Sequence, residues 1–288
     1  MLRQFIKTLL GGLSALSFSA CSPVTVLNAM VPDSGYQHRA DVIYGDHPRL
    51  KLDIYQPVTS TATKKPATVI FFYGGGWEAG EKADYKFVAE ALTSQGIIVV
   101  IPDYRVFPEV IFPEFIDDAA TSVAWTKKHI AEFGGDPEQL FIAGHSAGAH
   151  IAAMLSVNPV YLQQVGLQPR QLRGMIGLAG PYDFLPLKSK TLKQIFGDEA
   201  SQWQSQPVNF VGEGHPPTLL LVGNNDRTVL PRNSYRLADK LKKYDNSVEL
   251  VEFNDYGHVA MIAKLAKPLR GNGALLAPIV SFVEKHRD

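Results

Sequence analysis

The chain has 288 residues, 28 basic and 28 acidic side chains, and a formal net charge of zero. Hydrophobic residues make up 45% and charged residues 19%, a globular composition that excludes a disordered chain and suits one α/β domain with a large core. Lysine and arginine are scattered, so no nucleic-acid surface is expected, and no apolar run is long enough for a mature transmembrane helix.

From the N-terminus, Arg3 and Lys7 precede an apolar, small-residue stretch from Leu9 to Ala20, too short to cross a bilayer. It ends in Phe18-Ser19-Ala20-Cys21, and Cys21 is the single cysteine of the sequence. This layout resembles a bacterial lipoprotein signal, in which the cysteine is lipidated and becomes the new N-terminus. The resemblance implies export and a membrane anchor of acyl chains on Cys21. Ser22 in place of Asp points to an outer rather than an inner membrane. Such signals usually carry Leu where Phe18 stands, and the alternative is a simply cleaved signal that yields a secreted or periplasmic protein. A lone cysteine forms no internal disulfide, so the fold does not depend on oxidation. The reading divides the chain into a signal segment (1–21), a tether (22–39) and one domain (40–288).

Ala40–Tyr44 and Leu50–Tyr55 alternate apolar and polar residues and are parted by Gly45 and Pro48, which predicts an antiparallel hairpin with one wet face. After a polar loop, Thr68–Tyr73 is a continuous apolar run, as a buried central strand requires. Tyr85–Gln95 has helical periodicity ending at Gly96, and Ile97–Ile101 is a second buried strand stopped by Pro102. Glu114–Phe133 reads as a long helix closed by Gly134-Gly135. A strand pattern at Leu140–Ala143 and a helix pattern at Ala149–Val157 come next. Strand patterns recur at Gly174–Ala179, Thr218–Val222 and Ser247–Phe253, and helix patterns at Tyr235–Tyr244 and Ala274–Lys285. This alternation predicts an α/β fold, a mostly parallel sheet of about eight strands with helices on both faces. Phe184–His215 fits neither period and is read as a small cap insertion over the site.

Between the Leu140–Ala143 strand and the following helix lies Gly144-His145-Ser146-Ala147-Gly148. A serine on such a sharp turn is exposed and can give its proton to a nearby histidine. Glycines flank it because a side chain there would crowd the turn or the neighbouring strand. The free N–H groups at the start of the helix point toward developing negative charge. In enzymes built on this turn the acid and the base follow in the order Ser, then Asp or Glu, then His.

Asp226, on the loop leaving the Thr218–Val222 strand, falls at the carboxyl ends of the strands and is the expected carboxylate. Asp245 and Asp255 compete for the role, one late in a helix and the other close before the base. His258, after Tyr256-Gly257 and past the last strand, is the expected base. His145 and His150 are too near Ser146 in sequence to approach it across a cleft, and His215 precedes Asp226. Tyr73-Gly74-Gly75-Gly76-Trp77 follows the first buried strand, and the amides of Gly75 and Gly76, with that of Ala147, are predicted to form an oxyanion hole. Trp77, Tyr182 and Phe184 are candidates for the substrate pocket, with ordinary aromatic packing as the alternative. The sequence has no H-E-x-x-H motif, clustered Asp/His pattern or phosphate-loop motif, so neither a metal nor another cofactor is expected.

Tyr73-Gly74-Gly75-Gly76-Trp77, Pro102-Asp103-Tyr104-Arg105 with Phe112-Pro113, the Ser146 pentapeptide and Gly257-His258 together resemble the esterase/lipase branch of the α/β-hydrolases. That group holds hormone-sensitive-lipase-like carboxylesterases, feruloyl and acetyl-xylan esterase relatives, and kynurenine formamidases. The resemblance covers about residues 40–285 and implies an α/β-hydrolase fold with catalytic Ser146, Asp226 and His258. Many members have His in place of Tyr73, where it supports the glycine loop. The expected activity is hydrolysis of a small carboxylic ester, short-chain, carbohydrate or aryl, through an acyl-enzyme on Ser146. An arylformamidase-type amide hydrolase shares this chemistry and stays open. A binding lipoprotein without catalysis on the same scaffold would be signalled by a missing triad or glycine loop.

Overall fold

Thr68–Phe72 and Ile98–Pro102 are runs of β-branched and aromatic residues buried at every position, and they sit side by side inside a single sheet. The computed structural model describes residues 27–32, 34–58 and 65–287; Cys21 and the signal segment lie outside them. Its strands are β1 (Tyr36–Ile43), β2 (Lys51–Pro57), β3 (Thr68–Phe72), β4 (Ile98–Pro102), β5 (Leu140–His145), β6 (Gly174–Leu178), β7 (Thr218–Gly223) and β8 (Val248–Phe253). The order across the sheet is β1-β2-β4-β3-β5-β6-β7-β8. β1 and β2 pair antiparallel, as do β2 and β4, and every other neighbouring pair is parallel. The expected α/β architecture with a hairpin at its start is therefore present.

β1 begins at Tyr36, inside the stretch expected to be a tether. Tyr36 is buried and meets the Tyr55 ring edge-on at 5.5 Å, which draws the preceding chain onto the sheet. Past Arg39 the register slips, Asp41 turns to a φ of 56°, and its amide donates to the Asp53 carboxylate at 3.0 Å. This β-bulge bends the outermost strand.

The helices are α1 (Lys86–Thr93), α2 (Glu114–His129), α3 (Ala147–Val157), α4 (Pro159–Gln164), α5 (Lys190–Phe196), α6 (Arg232–Lys243), α7 (Ala260–Ala263) and α8 (Leu276–His286). α1 packs on α8, and α2 packs on α3 and α4, giving the two helical layers that cover the sheet. Every residue of α3 is buried, which accounts for a sequence that is apolar but for His150 and Ser156. α2 tightens into a 3-10 turn over Ile130–Phe133 and stops at Gly134, whose φ of 78° suits glycine. α4 was not anticipated. Pro159 occupies its first turn and the Asn158 side chain accepts from the Val160 amide at 3.3 Å, a proper helix start.

The segment 184–215, expected to be a cap, contains α5 and two 3-10 turns, Gln202–Ser205 and Pro207–Phe210. Side-chain amides fix the chain that enters it and its interior. Asn233 Oδ1 accepts from the amides of Tyr182 and Asp183 at 3.0 and 2.8 Å, and Gln206 Oε1 accepts from Phe184 at 2.8 Å. The Phe112 amide reaches the Ile195 carbonyl at 2.9 Å, joining α5 to the loop after β4.

Candidate active site

The site is assembled at the carboxyl ends of β3, β5 and β7 and just beyond β8. β5 runs directly into α3, and the residue at the junction, Ser146, has φ 55° and ψ −123°. This strained conformation is imposed by close packing on both sides. A Cβ on Gly144 would lie 2.3 Å from the Gly148 carbonyl, and one on Gly148 would lie 2.0 Å from the Phe72 carbonyl oxygen. No side chain fits at either place, so the turn must be tight and the serine must stand on its crest. The Ser146 amide is tied to the Leu178 carbonyl at 3.0 Å.

Asp226 is buried on the loop after β7. Its Oδ1 accepts from the amides of Thr228 and Val229, both at 2.9 Å, and its Oδ2 lies 2.7 Å from His258 Nδ1. Burial by itself would push this carboxyl up. The hydrogen bonds from His258 and the Val229 and Thr228 amides outweigh that and hold it below the usual carboxylate range. An ionised Asp226 only accepts, so it keeps the proton of His258 on Nδ1 and leaves the Nε2 lone pair free. That lone pair accepts the Ser146 hydroxyl proton across 2.9 Å. Ser146, Asp226 and His258 are thus brought together as expected, and Asp245 and Asp255 take no part in these contacts.

The glycine loop lies against the serine: a Cβ on Gly74 would come within 3.1 Å of Ser146 Cβ. Gly75, Gly76 and Trp77 have φ values of 133°, 64° and 62°. A Cβ on Gly75 would lie 2.0 Å from the Ala79 carbonyl oxygen. Among the described residues, the amides of Gly75 and Gly76 have no backbone hydrogen-bond acceptor. Ala147 is the first residue of α3, where an amide has no intrahelical partner. Three backbone donors, two on the glycine loop and one at the start of α3, therefore lie beside Ser146.

Beneath the loop, Tyr73 performs the support that the resemblance assigns to its position. Its hydroxyl donates to Asp103 Oδ1 at 2.9 Å and receives Arg49 Nη2 at 3.2 Å, while its carbonyl accepts from Tyr104 at 2.7 Å. Arg49 also donates to the Gly80 carbonyl at 2.6 Å and the Tyr104 carbonyl at 2.7 Å, bracketing the loop's far end. Arg105 pairs through two nitrogens with the buried Asp118 at 2.9 and 2.7 Å, fastening the exit of β4 to α2. The Pro102–Arg105 motif is thus scaffolding.

Two histidines set aside as bases prove to have other work. His145 Nε2 donates to the His258 carbonyl at 3.1 Å, and the two rings lie 4.7 Å apart. Burial, then the neighbouring His258, lower its pKa to about 3, so His145 stays neutral and braces the loop that carries the base. His150 is fully buried and bonds Trp77 and the cap; burial lowers its pKa to about 4. Their positions, one residue before and four after the nucleophile, were the signal available in the sequence.

The three pocket candidates separate. Phe184 is half-buried and stacks on Trp77 at 5.8 Å, and Trp77 is buried except for 5% of its surface. Tyr182 corrects the expectation: it is wholly buried, with its hydroxyl only 2.0 Å from where a Cβ on Gly177 would stand. Glycines at 177 and 180 leave a hollow that the tyrosine fills, so it is a core residue.

The BD-FAE family profile matches residues 52–241. A probable isoprenylcysteine alpha-carbonyl methylesterase of Arabidopsis thaliana is 30% identical over 81% of this chain and 53% of its own length. The kynurenine formamidase of Danio rerio is 26% identical, over 78% of this chain and 76% of its own. The chain spans about half to two thirds of the plant methylesterases it matches. A carbohydrate esterase from gut microbiota superposes with a TM-score of 0.78 at 20% identity, covering 89% of this chain and 98% of that one. With the eight-stranded sheet and the strand–serine–helix turn, these matches place the chain in the BD-FAE family, on an α/β-hydrolase fold.

Proposed function

We propose that the protein is a serine hydrolase of small carboxylic esters, working through an acyl-enzyme on Ser146. The observation that carries this reading is the unbroken chain from Asp226 Oδ2 to His258 Nδ1 at 2.7 Å and from His258 Nε2 to Ser146 Oγ at 2.9 Å. Ser146 Oγ attacks the ester carbonyl as His258 takes its proton, and Asp226 stabilises the resulting imidazolium. The tetrahedral oxyanion accepts hydrogen bonds from Gly75, Gly76 and Ala147, each donor contributing roughly 3 kcal/mol at the transition state. His258 then protonates the leaving alcohol. In the second half it activates a water molecule, which releases the acid and frees Ser146. Phe184, half-buried where it stacks on the enclosed Trp77 ring, is the pocket candidate that keeps an open face.

The purified domain is expected to hydrolyse p-nitrophenyl acetate and butyrate and to be labelled by a fluorophosphonate at Ser146. A wild-type protein that neither turns over esters nor takes the label would instead be a binding protein on this scaffold. The match to a kynurenine formamidase supports a second reading, an arylformamidase. The leaving group is then an amine, and faster turnover of N-formylkynurenine than of phenyl acetate decides for it. The N-terminal layout ending at Cys21 supports export and lipid anchoring, preferentially in an outer membrane, which places an extracytoplasmic ester in reach. Full-length protein should partition into detergent and incorporate labelled palmitate; Cys21→Ser that still incorporates the label would remove the anchor from this picture.

A further inference from the structure

His150 lies one helical turn beyond Ser146 and is fully buried, yet the steps above do not use it. Both of its ring nitrogens are engaged. Nε2 lies 2.7 Å from the Ser205 carbonyl of the cap, and Nδ1 lies 3.3 Å from the indole Nε1 of Trp77. A carbonyl can only accept and an indole N–H can only donate. A neutral imidazole with its proton on Nε2 satisfies both. A second proton would set N–H against N–H, and burial opposes it. Ser205 in the cap thereby selects the tautomer that can receive Trp77.

Trp77 is the third consecutive residue with positive φ, directly after the two amides assigned to the oxyanion hole. A bulky side chain in the left-handed region persists only where its surroundings hold it. Here the ring is fixed edge-on to His150 at 5.1 Å and Phe196 at 4.8 Å and is stacked on Phe184. Its carbonyl accepts from the Phe107 amide at 2.8 Å. Of these contacts the His150 bond is the directional one to the side chain, so it sets the ring's rotation and with it the backbone that aims Gly75 and Gly76.

We infer that His150 is a positioning residue which, through Trp77, couples the docked cap to the geometry of the oxyanion hole. The inference rests on the serine-hydrolase reading of Ser146. The cap thus helps to build the catalytic centre as well as cover it.

The test is steady-state hydrolysis of phenyl acetate by the full chain and its Trp77→Phe, His150→Leu, His150→Gln and Trp77→Phe/His150→Leu variants. Trp77→Phe keeps an aromatic ring and loses only the donor and one ring. It and His150→Leu are each expected to lower kcat by about 10- to 100-fold with KM changed less than about twofold, as misplaced oxyanion donors require. The double variant should be no slower than the worse single one. His150→Gln, which can donate to Ser205 and accept from the indole, should recover most of the loss. Wild-type kcat in Trp77→Phe, or losses that multiply in the double variant, would overturn the inference. A wild type inert to esters would overturn the hydrolase reading instead. The coupling is then read from hydrogen exchange of the Trp77 indole, slow in wild type and fast in His150→Leu; equal exchange rates would overturn it.

Discussion

The triad and the cap are joined within one fold, but they are held by different kinds of contact. Ser146 and Asp226 are fixed by backbone, a crowded turn between β5 and α3 and two loop amides on a carboxylate, and only the loop of His258 is braced by a side chain, that of His145. The cap is fixed by side chains reaching across the molecule, such as His150 to Ser205, Asn246 to Gly212 and His215, and Phe196 among the aromatic rings. Backbone-imposed geometry repeats wherever the same turn repeats, so it carries a motif. Side-chain docking depends on a particular set of neighbours and is free to change with the substrate.

The largest loss is expected at the nucleophile. Ser146→Ala is expected to lower kcat by on the order of 10⁶-fold, with the fold unchanged by circular dichroism. Asp226→Asn should cost about 10⁴-fold, because an amide permits the wrong imidazole tautomer. A loss under tenfold would move the carboxylate role elsewhere. The cap is tested by stability. Phe196→Ala empties a buried site ringed by Trp77, Phe112, Phe115 and Phe184, and is expected to cost about 3–5 kcal/mol in urea unfolding. If it removes the cap alone, far-ultraviolet signal and stability will part company, showing that cap and core unfold separately. Asn233→Ala leaves two backbone amides without their acceptor, and about 1–3 kcal/mol is expected to be lost.

The smallest effect is a pH slope. His145 and His150 have folded-state pKa values lowered to about 3 and about 4, well below the ordinary value near 6.5. As pH falls from about 6.5 toward those values, the unfolded chain binds protons that the fold refuses, so stability declines; above that window these two histidines contribute no slope. Each adds up to about 1.4 kcal/mol per pH unit. Urea midpoints between pH 7 and 5 should fall less steeply for His150→Gln than for wild type, and an identical slope would show that His150 is not held neutral.

What was legible in the sequence follows the same division. β3, β4 and β7 announce themselves because strands buried on both faces must be apolar throughout. Ser146, Asp226 and His258 could be found because each closes or follows such a strand in a fixed order. β1 was placed too late because His38, Arg39 and Asp41 face solvent and leave no apolar alternation to read. The cap had no period because its helical pieces run only four to seven residues, and its anchors lie far away in the chain. Tyr182 looked like a pocket residue by its place after β6, yet two glycines beneath it decided its direction. His145 and His150 lie too near Ser146 in sequence to act as its base, and the partners that explain them stand 113 and 55 residues away, beyond the reach of local pattern.

The outermost strand has a consequence for how copies of the molecule behave together. A sheet end with a straight row of free amides and carbonyls is a template on which another chain can add. β1 closes this sheet with a slipped register, a left-handed Asp41 and exposed charges at Arg39 and Asp41. A second copy meeting that edge would find its hydrogen-bonding row bent out of line and charged. The fold carries on that side its own safeguard against growing into a fibril.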